Sequence, residues 1–278
     1  MFVTRLLSGI VLLAVAILTM SYGNEPLLVL LMAISLIAFR ELTKALHCAK
    51  DVKKINGLEA VGMAGIVAYY ASVYYVGNFE GSMSFVLMAI VGTFLAEMFL
   101  YVIKFPKYRA DRVVAAVFAF LYAPVMLSFI YLTRSLPVGV YTVWLILISS
   151  WGCDTCAYVV GKLIGKKKIF PVLSPHKSLE GCIGGVLGAA LIGAVYGHFM
   201  LESVLSGHSA TWMVAVICAL GAIMSMVGDL AASAIKRNND IKDYGKIIPG
   251  HGGIMDRFDS VIVTAPMVYF LTILLLRF

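Results

Sequence analysis

Nine apolar segments, each about as long as a membrane is thick, limit what this chain can fold into. A helix needs about 20 apolar residues to cross the hydrocarbon core, and lipid-exposed backbone must satisfy its hydrogen bonds internally. Hydrophobic residues make up 61% of the sequence and the mean hydropathy is +0.95, values that exclude an ordinary soluble domain. We therefore expect an all-α polytopic integral membrane protein with about nine transmembrane helices, near 6–23, 26–46, 58–77, 83–103, 113–132, 138–160, 181–201, 211–235 and 259–277.

The spans follow one another without a long polar segment, which indicates a single membrane domain over residues 1–278. Within it we distinguish N-terminal helices at 1–135, about five spans, from C-terminal helices at 136–278 with polar loops at 161–181 and 236–258. The first segment lacks a convincing small-residue cleavage site, so an uncleaved helix is favoured over a signal peptide.

The basic residues predict how the chain is oriented. If the N-terminus lies inside, all but two of the 22 lysines and arginines fall on the inner side, the exceptions being Arg134 and Arg277. Because such cations concentrate in cytoplasmic loops, we expect a cytoplasmic N-terminus, an outside C-terminus and a multi-pass location in the cell membrane. The net charge of +7 suits this role and contact with anionic lipids, and we expect no nucleic-acid partner.

Polar residues of the eighth span form a stripe. Ser225, Asp229, Ser233 and Lys236 follow steps of four, four and three, which place them on one helix face. An intramembrane ionisable residue suggests a task. An ion pathway or a polar seam between helices would explain the stripe, but the loop that follows favours a reaction site.

That loop and the start of the ninth span carry the residue types of phosphate chemistry. The run Pro249-Gly250-His251-Gly252-Gly253 allows backbone shapes whose amides converge on phosphate oxygens. We expect His251 to act as a general acid or base or to hold the loop in shape. The candidate phosphate-binding cations are Lys236, Arg237 and Lys242.

Three aspartates are candidate ligands for a hard cation. Asp256 and Asp259 lie three residues apart on one helix face, and Asp229 would join them if the eighth and ninth helices lie side by side. Mg²⁺ takes one or two carboxylates and leaves its other positions to water and phosphates. The sequence therefore predicts metal-assisted phosphoryl or nucleotidyl transfer. Cys153 and Cys156 form a lone CxxC without a second pair at zinc spacing, so a metal role is not favoured there.

A second polar stretch lies between the sixth and seventh spans. Asp154 shares a helix face with Tyr158, and the stretch 174–181, SPHKSLEG, follows. It is suited to meet an anion, and it also matches ordinary helix-start chemistry. Two acids inside spans leave alternatives open: Glu41 could form a local ion pair, Glu97 an interhelix hydrogen bond, and either could belong to the site.

Residues 233–259 resemble the signature of the phosphatidate cytidylyltransferase, or CDP-diacylglycerol synthase, family. The matching positions are Ser233, Lys236-Arg237, Lys242-Asp243, Gly245, Pro249, His251-Gly252-Gly253, Asp256-Arg257 and Asp259. The resemblance extends upstream through Asp154, Ala157-Tyr158, Gly161, Ser174-Pro175, Lys177-Ser178 and Glu180-Gly181, and covers at least the C-terminal half. Cys153 and Cys156 replace small residues, and His176 stands where lysine is common.

The resemblance implies transfer of CMP from CTP to phosphatidic acid, with Mg²⁺ as cofactor and K⁺ as a second cation. It places the metal on Asp229 and Asp256 and the reaction on the cytoplasmic face. The implied catalytic residues are Ser233, Lys236, Arg237, Lys242, Asp243, His251 and Asp259. The implied substrate-binding residues are Asp154, Tyr158, Ser174, Lys177, Ser178, Glu180, Gly252, Gly253 and Arg257.

Two alternatives and one question of assembly stay open. A related enzyme could use CTP with another membrane lipid, and a transporter could use Asp229 for ions, although we find no inverted repeats. Family members form dimers, and the Gly184-xxx-Gly188 spacing suits close packing against another helix, within the chain or in a homodimer.

Overall fold

Helices make up most of the part that the computed structural model describes, residues 2–48, 54–79, 81–171, 173–205, 210–248, 250 and 252–276. Two isolated bridges, Lys168 with Ser178 and Ile248 with Gly252, are the only strand-like pairings in those ranges. The predicted all-α fold is confirmed. The helices are α1 (Phe2–Tyr22), α2 (Asn24–Ala45), α3 (Gly57–Asn78), α4 (Ser84–Ile103), α5 (Ala110–Arg134), α6 (Gly139–Ile164), α7 (Leu179–Leu201), α8 (Ala210–Asn238) and α9 (Met255–Leu276).

Eight of these helices, α2 to α9, are long and apolar enough to cross a membrane, counted over the described residues. The prediction was about nine, and the difference lies in α1. This helix, Phe2–Tyr22, covers the first predicted span near 6–23 and is not among the eight. The orientation of the termini stays a prediction.

Three of the long helices contain a wider, π-helical turn. These turns lie at Leu121–Val125 in α5, Ile148–Gly152 in α6 and Gly197–Leu201 in α7. In α5 the cause is Pro124, which has no N–H to donate; its carbonyl accepts from the Tyr70 hydroxyl at 3.3 Å. The turn in α6 directly precedes Cys153 and Asp154, and such turns are frequent near functional sites.

The chain forms two compact units. The first comprises Met1–Ser128 with Asn239–Arg257, and the second comprises Phe129–Asn238 with Phe258–Phe278. In the first unit, buried hydroxyls are paired: Tyr70 lies 2.8 Å from Ser35, and Tyr69 lies 2.8 Å from Ser128. Such pairing removes the cost of leaving a buried polar group unsatisfied.

In the second unit, the glycines of α7 allow close contact with α6 and α8. A Cβ at Gly184 would lie 2.6 Å from the Val160 side chain, and one at Gly188 would lie 2.5 Å from the Cys156 sulfur. A Cβ at Gly193 would lie 2.6 Å from the sulfur of Cys218 on α8. The glycine pattern therefore serves packing within the chain, and Cys156 of the CxxC is one of the side chains that it accommodates.

Gly184→Ala should lower thermal stability. The added methyl would press against β-branched Val160, and overpacking of this kind costs about 1–3 kcal/mol. The measurement is the unfolding midpoint of the purified protein in detergent. Gly92→Ala is the matched control: it lies in α4, and a Cβ there meets nothing within 4 Å. Equal midpoints for the two variants would contradict the packing described.

Candidate active site

The polar stripe of α8 lies where this helix meets α9. Asp229, Ser233 and Lys236 are partly buried, whereas Ser225 is fully buried. A Cβ at Gly228 would lie 2.6 Å from the Asp259 carbonyl oxygen, so the two backbones approach closely beside Asp229. This confirms the expectation that α8 and α9 lie side by side.

Lys177 and Asp229 form an ion pair, with 2.5 Å between the ammonium nitrogen and a carboxylate oxygen. Their side chains are 21% and 31% exposed, so the pair is only partly screened by solvent. Asp154 of α6 interacts electrostatically with both. The structure thus brings together residues from α6, from the loop before α7 and from α8, three segments that are distant in sequence.

Asp259 adds a third carboxylate to this group. It interacts electrostatically with Asp229, Asp154 and Lys236, and its Oδ1 accepts a hydrogen bond from the Ser260 amide at 2.8 Å. We call the set Asp154, Lys177, Asp229, Lys236 and Asp259 the acid–lysine cluster. Its three acids outnumber its two lysines. An excess of negative charge among apolar helices is costly unless a cation compensates it.

The cluster fits a hard cation that takes few protein ligands. Within the described ranges, no group of three or more His, Cys, Asp or Glu side chains converges closely enough to hold a metal ion. Its donors are carboxylate oxygens, which suit Mg²⁺ rather than a soft metal. Because Mg²⁺ uses one or two carboxylates and completes its shell with water and phosphates, the missing third ligand is no obstacle. A cation at Asp229 would compete with the Lys177 ammonium.

The loop before α7 has the contacts of a helix start. Ser178 is buried and caps α7 by accepting from the Gly181 amide at 3.2 Å. The Glu180 carboxylate accepts from the amides of Lys166 at 3.0 Å and Lys167 at 3.2 Å. These contacts match the helix-start alternative, in which both side chains shape the loop. Their substrate-binding role stays a prediction.

The other predicted substrate-binding and cationic residues differ in exposure. Tyr158 is 67% exposed, with the Lys162 ammonium 5.9 Å from its ring centroid, and Ser174 is partly buried. A phosphate ligand could therefore reach the exposed cations without unfolding the chain. Among the described residues, the exposed predicted site residues are Asp154, Tyr158, Arg237, Lys242, Asp243 and Arg257.

In the first unit, Asp256 ties the loop between α8 and α9 to the start of α9. The residue is 7% exposed, and its Oδ2 accepts from the Tyr244 amide at 2.8 Å and the Gly253 amide at 3.0 Å. Gly250 and Gly252 have φ of 79° and 90°, a region that disfavours side chains. The predicted need for glycine is confirmed at these two positions. Pro249 and His251 lie outside the described residues.

Glu41 of α2, for which the sequence leaves an ion pair and a site role open, contacts the start of α9. The residue is 5% exposed, and its carboxylate accepts from the Ile254 amide at 3.2 Å and the Met255 amide at 2.8 Å. A carboxylate at the start of α9 also interacts favourably with the helix dipole. A Cβ on Gly245 or Gly253 would collide with this carboxylate. Glu41 therefore explains two glycines of the signature.

Glu97 of α4 has a different environment. It is fully buried, and neither carboxylate oxygen has a hydrogen-bond partner among the residues that the structure describes. The interhelix hydrogen bond considered from the sequence is not found there. It borders a cavity of about 210 Å³ with Thr93 and apolar side chains of α4 and α5.

Comparison with known proteins assigns the family. The model of the cytidylyltransferase family matches residues 3–275. The chain belongs to this family. It is 28% identical over 272 residues to the phosphatidate cytidylyltransferase of Bacillus subtilis, covering 96% of each chain. It is 30% identical over 273 residues to that of Staphylococcus haemolyticus, covering 97% of this chain and 98% of the relative.

A third relative aligns with a shorter part of this cytidylyltransferase family member, at a higher identity. Over 151 residues it is 36% identical to the phosphatidate cytidylyltransferase of Staphylococcus saprophyticus. That alignment spans only about half of each chain, 54% of this one and 56% of the relative. The family resemblance inferred from the signature is confirmed by the matches along the whole chain.

Glu41→Gln should loosen the loop. The amide keeps the size of the side chain but leaves one acceptor oxygen for two backbone amides, and an unsatisfied buried group costs about 1–3 kcal/mol. We expect faster hydrogen–deuterium exchange at residues 244–255. The control is Glu59→Gln at the start of α3. It changes a buried carboxylate that accepts from the Asn56 amide at 3.0 Å. Exchange at 244–255 that is unchanged in Glu41→Gln would contradict the assignment.

Proposed function

We propose that this protein transfers CMP from CTP to phosphatidic acid, producing CDP-diacylglycerol and pyrophosphate. The proposal is carried by the acid–lysine cluster in a chain of the cytidylyltransferase family. Bacterial relatives that match nearly the full chain are named phosphatidate cytidylyltransferases. A lipid substrate also agrees with eight helices able to cross a membrane, counted over the described ranges.

The proposed cofactor is Mg²⁺, with K⁺ as a second cation. Asp229 and Asp256 would hold these cations, with Asp259 and Asp154 as neighbouring carboxylates of Asp229. When bound, the cation neutralises triphosphate charge and favours displacement at the α-phosphorus. The support is the oxygen-only donor set and the excess of acids over lysines in the cluster.

The side chains of the protein supply charge and orientation. A phosphate oxygen of phosphatidate attacks the α-phosphorus of CTP, a new P–O bond forms, and the bond to the departing pyrophosphate breaks. Because this nucleophile is already an anion, a strong general base is not needed. Lys236, Arg237 and Lys242 would neutralise phosphate charge, which is the dominant requirement of such transfers. Ser233 would donate a hydrogen bond to a phosphate.

The proposed location is the bacterial cell membrane, with the site on the cytoplasmic face. CTP is cytosolic, and the basic residues that would bind it are those that the positive-inside rule assigns to the cytoplasm. A homodimer stays part of the proposal. The glycines of α7 give it no support, because their close contacts with Val160, Cys156 and Cys218 are made within the chain.

Asp256→Asn should abolish activity. The change removes the charge of a proposed cation ligand while keeping the size of the side chain. The measurement is pyrophosphate release by the purified protein given CTP, Mg²⁺ and phosphatidate; ether-linked and prenyl phosphates test the lipid class. Asp111→Asn, at an exposed acid in the first turn of α5, is the control and should stay active. A fully active Asp256→Asn enzyme would exclude this site assignment.

Asp229→Asn should raise the Mg²⁺ concentration needed for half-maximal activity by about tenfold or more, since each 1.4 kcal/mol of lost binding is a factor of ten. EDTA should stop the wild-type reaction and added Mg²⁺ should restore it. The measurement is a Mg²⁺ titration at fixed CTP and phosphatidate. Activity that persists in EDTA would rule out the proposed cofactor.

A further inference from the structure

The helix α4 presents its apolar side chains outward and its polar side chains inward. Most of its large apolar residues are exposed, among them Phe85, Leu87 and Met88, as expected of a helix that borders lipid. Its buried residues are Thr93 and Glu97, which lie one turn apart on one face. These two polar residues are therefore its most deeply buried contacts with the neighbouring helices.

Thr93 is buried without an unsatisfied polar group. Its hydroxyl donates to the Ala89 carbonyl at 2.7 Å within the same helix. On α3, Gly65 leaves room for it, since a Cβ there would collide with the threonine side chain. Thr93 thus allows α3 and α4 to approach closely, one turn from Glu97.

The Glu97 carboxyl has no such compensation. It is fully buried, and neither oxygen has a hydrogen-bond partner among the described residues. The cavity of about 210 Å³ that it borders is apolar apart from Thr93, with Val117 and Phe120 of α5 in its wall. Such a wall supplies neither a donor nor a cation, and an ionised carboxyl is costly in these surroundings.

The ionisable groups of the neighbouring elements do not offset this cost. Glu59 of α3 is itself an acid, and both its oxygens already accept hydrogen bonds. Arg112 of α5 interacts electrostatically with the Cys48 thiol and forms no ion pair with Glu97 within the ranges described. The Cys48 thiol also interacts with Glu97, but a thiol supplies no positive charge. The ionisable groups around this end of α4 are Cys48, Glu59, Tyr108, Asp111 and Arg112.

We propose that Glu97 is a proton-binding site that holds α4 against α3 and α5. The bound proton makes the carboxyl neutral, so that it can be buried without a cation. Loss of the proton leaves a buried charge, and α4 then separates from its neighbours so that the carboxylate reaches water. This inference does not depend on the acid–lysine cluster or on the proposed reaction.

Proton binding at Glu97 makes the stability of the fold depend on pH. In the unfolded chain a glutamate carboxyl releases its proton at about pH 4, whereas the folded chain retains the proton at Glu97. Above that pH the folded state binds one more proton than the unfolded state. Stability therefore falls as the pH rises, until the folded state also releases the proton.

The test compares the wild type with Glu97→Gln, which imitates the neutral carboxyl, in one detergent between about pH 5 and about pH 8. We expect the thermal midpoint of the wild type to fall by about 2–4 °C per pH unit relative to Glu97→Gln. Glu25→Gln is the matched control, since it changes an exposed acid of α2 that accepts from the Tyr74 hydroxyl at 3.0 Å. It should follow the wild type. Midpoints of the wild type and Glu97→Gln that run parallel with pH would overturn the inference.

Hydrogen–deuterium exchange in the wild type locates the change without any variant. Exchange over residues 84–103 is compared with exchange over 210–238 in the same sample, which cancels the intrinsic effect of pH on exchange. We expect the ratio to rise by about tenfold per pH unit, since opening of α4 is coupled to the loss of one proton. A ratio that does not change with pH would overturn the inference, whether or not Glu97→Gln folds.

Infrared spectroscopy detects the bound proton directly. At neutral pH the wild type should show a carbonyl stretch of a protonated carboxylic acid that is missing from Glu97→Gln and present in Glu25→Gln. If the wild type and Glu97→Gln have the same absorption in that region, Glu97 is ionised in the folded protein and the inference fails.

Discussion

Charge placed among apolar helices must be compensated, and this requirement governs the polar parts of the protein. Lys177 compensates Asp229 directly at 2.5 Å, and Lys236 interacts with Asp259. Asp256 and Glu41 are stabilised instead by backbone amides, two for each carboxylate. The two solutions differ chemically. The ion pair can exchange its lysine for another cation, whereas the amide contacts hold a loop in one conformation.

The helical fold could be predicted from the sequence because it depends on local pattern. Hydropathy alone locates α2 to α9, and the spacing of Asp229, Ser233 and Lys236 predicts their common face. Local motifs also explain the start of α7, where Ser178 caps the helix. The helix α1, Phe2–Tyr22, lies where hydropathy predicts the first span.

The connections between distant segments could be predicted only in part. Proximity of the Asp154 segment, the Lys177 loop and α8 follows from the resemblance, but pairing of Lys177 with Asp229 depends on side-chain positions that spacing does not give. The sequence leaves the role of Glu41 open. Its acceptor role involves Ile254, which lies 213 residues away, and no periodicity connects the two. The glycines at 245 and 253 are the only indirect indication in the sequence of a group packed closely against the loop. They do not identify that group as Glu41.

The glycine loop and Asp256 belong to the same compact unit as residues 1–128, and Glu41 is the side chain that reaches from α2 to the start of α9. During synthesis, α2 is made long before the segment that it anchors. The conformation of the segment with the most recognisable motif therefore depends on a residue of α2. A chimera that grafted only the C-terminal helices onto another membrane protein would carry the motif without Glu41. The host protein would have to supply a glutamate in the same place.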